Sequence, residues 1–413
     1  MYGTLALSPR ALDGLADVAG ETSIEELRAL ARPIEGLRVL NLSVTGFGTG
    51  TAELLNSSVP LLNDLGIDCH WEVVRTSEDV AAANRAMYRA LGGLRVEWTQ
   101  EMTDAWLRFA QMNAGLFTEE FDVVIVHDPQ PVAIRSFLTE DQRSRWILHS
   151  HLDLSSAQDE VWFPLRSHIE KYDGAIFEAP DFARDDIAIR TWIVPPAIDP
   201  HSARNMPLPD DVVRTVLERY GIDPDAPLIC QVSPCDAESD LVGAVDTVCA
   251  LRERFRNLQL ALILTTEPQD PAGRATYDDL ARRCADEHAV FVLGMRGDFG
   301  NVELNVFQRA ASVIMQRGLR KGFGLWVSDA LWKGKPVVTG GAPGLTEQVL
   351  DGKTGLVARE PSEFETLVAR LLEDPQLGAR LGEAGRRHVS ERFLITRYLR
   401  DQLRIFNQLH RGA

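Results

Sequence analysis

At 413 residues, 45% hydrophobic and 25% charged, the chain is long enough for two globular domains, each with a core of its own. Its formal net charge of −17 repels phosphate backbones and anionic lipid, which argues against nucleic acid and membrane surfaces as partners and requires a local site for any phosphorylated ligand. Five cysteines without metal-ligand spacing, no apolar run of membrane length and no basic start followed by an apolar stretch point to a soluble protein of the reducing cytoplasm.

In chain order, residues 1–35 read as a helical extension, with "TSIEELRALARPI" opening on a Ser/Thr cap followed by Glu. From "LRVLNLSV" onward, short apolar runs ("FDVVIVHD", "RWILHSH", "DGAIFEA", "TWIVPPA") alternate with amphipathic stretches such as "AELLNSSVPLLNDLG". That alternation predicts βα units around a buried parallel sheet. After the Pro-rich "PPAIDPHSARNMPLPDD" a second series begins: "PLICQVS", "LQLALILT", "AVFVLG", "ASVIMQ", "PVVTGG" and "TGLVA". Residues from Pro361 to Leu409 show helical periodicity without a strand run.

The fold class expected is therefore α/β, with two doubly wound Rossmann-like domains facing a central cleft. The first covers 1–203 and the second 204–388, and a helix over 389–413 crosses back to the first. In such sheets ligands bind outside the carboxyl ends of the strands, where the following helices begin.

Four motifs fall at predicted strand ends. "LNLSVTGFGTGTAELL" places Gly46, Gly48 and Gly50 before a helix starting near Thr51, where backbone amides can approach an anionic or sugar ligand; a plain strand-to-helix turn would look similar. It is not a dinucleotide fingerprint. "VIVHDPQP" ends a strand with His127, Asp128 and Gln130, and "ILHSHLDLS" ends the next with His149, His151 and Asp153. Two adjacent strand ends with the same His/Asp chemistry favour hydroxyl binding or proton transfer over isolated structural histidines. His149 and His151 share a strand face, but no third ligand is evident, so no metal site is expected. In "RKGFGLWVSDALWKGKPVVTGG", Gly322 and Gly324 permit tight entry into a helix whose first amides suit a phosphate, and Asp329 lies within reach of a ribose hydroxyl pair.

With these residues the chain resembles the retaining glycosyltransferases of family 4, which have the GT-B fold, and among them the trehalose synthases that join a nucleotide-activated glucose to free glucose. The likeness runs through "ELLNSSVPLLNDLGI", "VVIVHDPQP", "HLDLS", "IEKYDGAIFEAPDFA", "PPAIDP", "ELNVFQRA", "MQRGLRKGFGL", "DALWKGKPVV" and "VLDGKTGLV", nearly the whole chain. The resemblance implies a metal-independent enzyme without a cofactor. Its partners would be a nucleotide sugar, UDP- or ADP-linked, and a small polar acceptor, with a homodimer entertained as the assembly. Carried over by position, His151 and Asp153 take catalytic places. Gly48, Gly50, Arg296, Lys321, Gly322, Phe323, Gly324, Leu325 and Asp329 take donor-binding places, and Glu53, His127, Asp128 and Gln130 acceptor-binding ones.

Two departures stand out. Lys321 replaces the glutamate that the resemblance predicts before Gly-Phe-Gly. Pro234 and Ser239, in "QVSPCDAESD", replace an arginine and a lysine that would clamp a diphosphate. Each charge-assisted hydrogen bond is worth about 1.5–3 kcal/mol, so losing both weakens a conventional donor by about a hundredfold or more. The departures open two alternatives: a pseudoglycosyltransferase or specialised-metabolite transferase with an unusual donor, and a catalytically silent binding or scaffold protein.

Overall fold

The structure, a computed structural model, describes residues 3–138, 143–236, 239–265, 271–294, 299–318 and 323–411. It comprises two compact units, Met1–Pro196 with Ile395–Ala413, and Ala197–Leu394.

The first unit is built on β1 (Gly3–Thr4), β2 (Arg38–Ser43), β3 (Asp68–Val73), β4 (Val123–His127), β5 (Arg145–Ser150), β6 (Gly174–Phe177) and β7 (Thr191–Ile193). They form one sheet in the order β1-β3-β2-β4-β5-β6-β7. All pairings are parallel except that of β1 with β3. β4 and β6 are buried at every residue, as expected where helices cover both faces of a parallel sheet.

Two expectations for the N-terminal region are corrected. Residues 12–34 are helical in short pieces, but Gly3–Thr4 pairs as a strand with Glu72 and Val73. The helix Glu21–Ala31 is preceded by Gly20 at φ +79° rather than by a Ser/Thr cap, and the Ser23 hydroxyl instead accepts from Arg400. β3 is not marked in the sequence, because "DCHWEV" is only partly buried and mixes polar with apolar residues.

The second unit contains β8 (Leu228–Pro234), β9 (Gln259–Thr265), β10 (Val290–Leu293), β11 (Val313–Gln316), β12 (Val337–Gly340) and β13 (Leu356–Ala358), all parallel, in the order β10-β9-β8-β11-β12-β13. In each sheet the strand order reverses at one place, between β2 and β4 and between β8 and β11. Such reversals are where doubly wound sheets bind ligands.

The helix Ile395–Arg411 returns to the first unit and packs on the helices Glu21–Ala31 and Gly50–Asp64. Tyr398, Leu399, Leu403 and Phe406 are buried along its inner side. Arg400 Nε pairs with Glu26 at 2.8 Å, and Asn407 Nδ2 donates to the Leu30 carbonyl at 2.8 Å. The five cysteines are free thiols, and no described helix is long and apolar enough to cross a membrane.

Candidate functional site

Two buried tryptophans fix the carboxyl ends of β2 and β4. Trp71 Nε1 donates to Ser43 Oγ at 2.8 Å, and Trp106 Nε1 donates to the Gln130 carbonyl at 2.7 Å. On that frame the parallel register sets His127 opposite His149, and His151 follows two residues on.

The three imidazoles are close together, with ring centroids 5.3 Å apart for His127–His149 and His127–His151 and 4.2 Å for His149–His151. A hydrogen-bond chain runs through two of them. Asn41 Nδ2 donates to the His70 carbonyl, which leaves Asn41 Oδ1 to accept from His127 Nε2 at 2.9 Å. His127 Nδ1 therefore carries a lone pair, and it faces His151 Nε2 at 3.0 Å. His151 Nδ1 in turn donates to Glu178 Oε1 at 2.7 Å. These contacts are satisfied with His127 protonated on Nε2 alone and His151 on both nitrogens beside an ionised Glu178.

The electrostatics agree with this assignment. Burial drives the pKa of His127 and of His149 well below the ordinary imidazole value. Burial also pulls His151 down, but the Glu178 hydrogen bond and the charges of Asp128 and Glu178 outweigh it, so its pKa is raised. His151 thus offers a positive charge at the carboxyl end of β5, able to meet a hydroxyl or an anionic oxygen.

Asp128 adopts φ +66°, and its Oδ1 accepts from the His151 amide at 3.1 Å while its own amide donates to the His149 carbonyl at 2.9 Å. It therefore ties the exits of β4 and β5 together. Gln130 is 7% exposed, and its Oε1 has no hydrogen-bond partner among the described residues. In the glycine loop after β2, Gly48 takes φ +78° and Thr49 caps the helix Gly50–Asp64 by accepting from Ala52 N at 3.1 Å. Gly50 opens that helix, partly buried Glu53 lies in its first turn, and Phe47 projects 71% exposed from the loop.

Asp153 does not join the cluster. Its Oδ1 accepts from the Ser155 amide at 2.9 Å, a local turn, and the carboxylate that bonds His151 is Glu178. The reason is competition: an aspartate two residues before a free amide closes a turn more readily than it reaches a neighbouring strand.

In the second unit, Arg296, Lys321 and Gly322 lie outside the described residues. Gly324, at φ +63°, caps the helix Leu325–Trp332. Phe323 is buried edge-on against Phe393, 5.3 Å between centroids, and its carbonyl accepts from Gln348. Asp329 was expected to face a ribose, yet it is 1% exposed. Its Oδ1 accepts from Asn205 Nδ2 at 2.7 Å, and Arg204 Nη1 lies 3.6 Å from Oδ2. At the strand reversal, Ser239 is buried and donates to Asp236 Oδ1 at 2.8 Å. Arg317, at the exit of β11, spends its guanidinium on Asp240 Oδ2 at 2.7 Å, Thr247 Oγ1 at 2.7 Å and the Pro361 carbonyl at 3.3 Å.

Residues 41–184 match the family described as trehalose synthase, N-terminal domain, and residues 214–388 match glycosyl transferases group 1. The chain is 33% identical over 403 residues to a trehalose synthase of Pyrococcus horikoshii, covering 97% of each, and 33% identical over 389 residues to that of Rubrobacter xylanophilus, covering 93% of each. The chain belongs to the trehalose synthase family of glycosyltransferases. Solved structures with the same fold include a sucrose-phosphate synthase from Thermosynechococcus elongatus, with TM-score 0.70, 15% identity and coverage of 91% of this chain and 100% of that one. An Anabaena HepE in complex with UDP and glucose gives TM-score 0.66 at 14% identity, covering 90% of this chain and 99% of that one. The fold class is GT-B, two doubly wound α/β units.

Within this trehalose synthase family member, the structure adds Asn41 and Glu178 to the residues flagged in the sequence. Glu178 directly follows β6, the same strand-end position that marked His127 and Asp128, so the rule that found those two could have found it as well.

Proposed function

We propose that this trehalose synthase family member transfers a sugar, with retention of anomeric configuration, from a UDP- or ADP-linked donor to a small polar acceptor. The observation that carries this reading is the match to trehalose synthases over 97% of the chain; a fold neighbour in complex with UDP and glucose supports the ligand class. In this reaction the acceptor hydroxyl attacks the anomeric carbon from the face that the leaving group departs, and the bond from that carbon to the phosphate oxygen breaks. The hydroxyl proton passes to the departing phosphate, and a nucleoside diphosphate is released. No protein nucleophile is needed. Backbone amides at Gly324 and Leu325 would stabilise charge on the leaving phosphate, and His151 would meet a sugar hydroxyl.

The test is incubation with UDP-glucose or ADP-glucose and free glucose, reading the product and its anomeric couplings by NMR. Formation of an α-linked disaccharide that is lost in His151→Ala supports the reading. An inverted product, or transfer unaffected in His151→Ala, overturns it.

A second reading, an unusual donor or a pseudoglycosyl transfer, is favoured by one feature of the second unit. Where the family resemblance calls for a cation pair, Pro234 ends β8 and Ser239 is buried, and neither carries a charge. Tight calorimetric binding of UDP-glucose or ADP-glucose with turnover to trehalose removes this reading. Restoring the lost residues (Pro234→Arg, Ser239→Lys and Lys321→Glu together) should tighten binding of conventional donors.

A further inference from the structure

The amino ends of β5 and β6 hold a cleft that takes no part in the proposed transfer. Its volume is about 510 Å³, within the range of small-molecule sites. Arg135, Arg143, Arg145 and Lys171 line it, and Asp173 is the one carboxylate among its described lining residues. That balance is the reverse of the whole chain's, which has 60 acidic residues against 43 lysines and arginines. Arg145 opens β5 and Asp173 directly precedes β6, whereas His149 and His151 stand at the carboxyl end of β5. From Arg145 to Ser150 the strand rises about 17 Å, so the cleft and the histidine cluster are separate places.

The single carboxylate is already committed. Asp173 Oδ1 accepts from Arg145 Nη1 at 2.9 Å and its Oδ2 from the Trp146 amide at 2.8 Å, which compensates Arg145 and leaves the other three cations unanswered. Arg143 and Lys171 are exposed, and neither has an ion pair among the described residues. Arg135 is more enclosed. Its guanidinium lies over the Trp146 ring, 5.8 Å from the centroid, and its Nε is buried with no hydrogen-bond partner among the described residues. A buried cationic donor in that state is costly unless an acceptor meets the group. The Tyr172 hydroxyl donates to the Val132 carbonyl at 2.9 Å and so ties the wall that carries Lys171 to the turn that carries Arg135.

We propose that this cleft binds a phosphorylated small molecule through a phosphate monoester, held by Arg135, Arg143 and Lys171. Such a group carries about −1.5 to −2 charges at neutral pH and three strong acceptor oxygens, which matches three uncompensated cations. Each arginine presents a fork of N–H donors to the phosphate oxygens, and the lysine adds a point charge on a flexible stem. The Ser144 side chain also lines the cleft and supplies a neutral hydroxyl. Nucleic acid does not fit this site, because the net charge of −17 repels a polyanion at long range and the cleft has the size of one small molecule. The site does not depend on the transfer reaction.

The experiment is calorimetric titration of the full-length protein, in a low-salt buffer free of phosphate, with inorganic phosphate and separately with glucose 6-phosphate. We expect one equivalent of each to bind. Arg143→Ala and Lys171→Ala, both at exposed positions where folding is not at stake, should each weaken binding at least about tenfold. Arg214→Ala, which removes an exposed arginine paired with Asp225 in the second unit, should leave it unchanged. Tighter binding of glucose 6-phosphate than of phosphate supports a phosphorylated sugar as the ligand, and equal affinities support phosphate itself. Absence of binding in the wild type, or binding that survives the double variant Arg143→Ala with Lys171→Ala, overturns the proposal. So does binding that appears only once Glu140→Gln and Asp141→Asn remove the two carboxylates that precede Arg143 in the sequence, outside the described residues. No turnover is read, so the outcome is separate from that of the transfer test.

Discussion

Asp128 holds a left-handed backbone immediately before Pro129, where the α region is closed to it by the proline ring. Aspartate and asparagine tolerate this conformation better than other side chains with a Cβ. Asp128→Asn keeps both the tolerance and an acceptor for the His151 amide, so it should cost about 1 kcal/mol or less, whereas Asp128→Ala loses both and should cost about 2–3 kcal/mol in urea unfolding. Equal costs would show that charge rather than shape holds the two strand exits. Lys333 gives a second prediction. Its ammonium donates to Asn205 Oδ1 at 2.9 Å, Gln308 Oε1 at 2.9 Å and the Asp329 carbonyl at 3.0 Å, while burial lowers its pKa to about 7. The unfolded chain keeps this proton up to about pH 10.4, so between roughly pH 7 and 10 the unfolded state binds more protons and stability rises with pH. From pH 7 to pH 9 the wild type should gain about 2 kcal/mol relative to Lys333→Met, measured by denaturant titration at both values. At this scale the sequence was informative wherever a polar residue directly follows an apolar strand run, as at His127 and Asp128. Glu178 obeys the same rule but gains its meaning only when β6 is laid beside β5, a pairing that no local pattern contains. Asp153 and Asp329 look equivalent in sequence to binding residues, yet their carboxylates are taken by Ser155 and Asn205.

The helix Pro375–Arg392 packs on the helix Leu325–Trp332 through glycines. A Cβ at Gly382 would collide with the Gly334 carbonyl, and one at Gly385 would lie 2.6 Å from Leu331 Cδ2. In a free helix, glycine to alanine gains about 1 kcal/mol of propensity. Here the collision is with backbone, which cannot rotate away, so Gly382→Ala should destabilise by about 1–3 kcal/mol despite that gain. Gly14 serves as the control, since an added Cβ there meets nothing within 4 Å. A stabilised Gly382→Ala in thermal melts would show that the two helices are not held at this distance. Elements with a continuous apolar run, β4, β6 and β11 among them, could be located from the sequence because burial on both faces leaves one pattern available. β3 could not, because it is half covered, and β1 could not, because two residues carry no period.

At the scale of the whole molecule, the division after Pro196 falls in the Pro-rich stretch that breaks the first strand series from the second. The net charge of −17 bears on how an anionic donor would be held. A site built on free cations loses affinity as salt screens them, whereas a site built on backbone amides carries no net charge to screen. The surrounding field of this protein repels a nucleotide diphosphate, and screening weakens that repulsion. The Debye length shrinks from about 30 Å at 0.01 M to about 8 Å at 0.15 M salt, so the long-range repulsion is largely removed across that range. Arg317, the described cation at the exit of β11, is compensated by Asp240 and adds little to the balance. Calorimetric titration of UDP-glucose, or of whichever nucleotide sugar stabilises the protein most in a thermal-shift screen, should therefore give a dissociation constant that is flat or falls as salt rises from 0.01 to 0.15 M. A tenfold weakening over the same range would mean that an uncompensated cation grips the diphosphate. Lys321 is then the residue to examine, and Lys321→Glu should abolish the salt dependence if it is that cation and leave it intact if it is not.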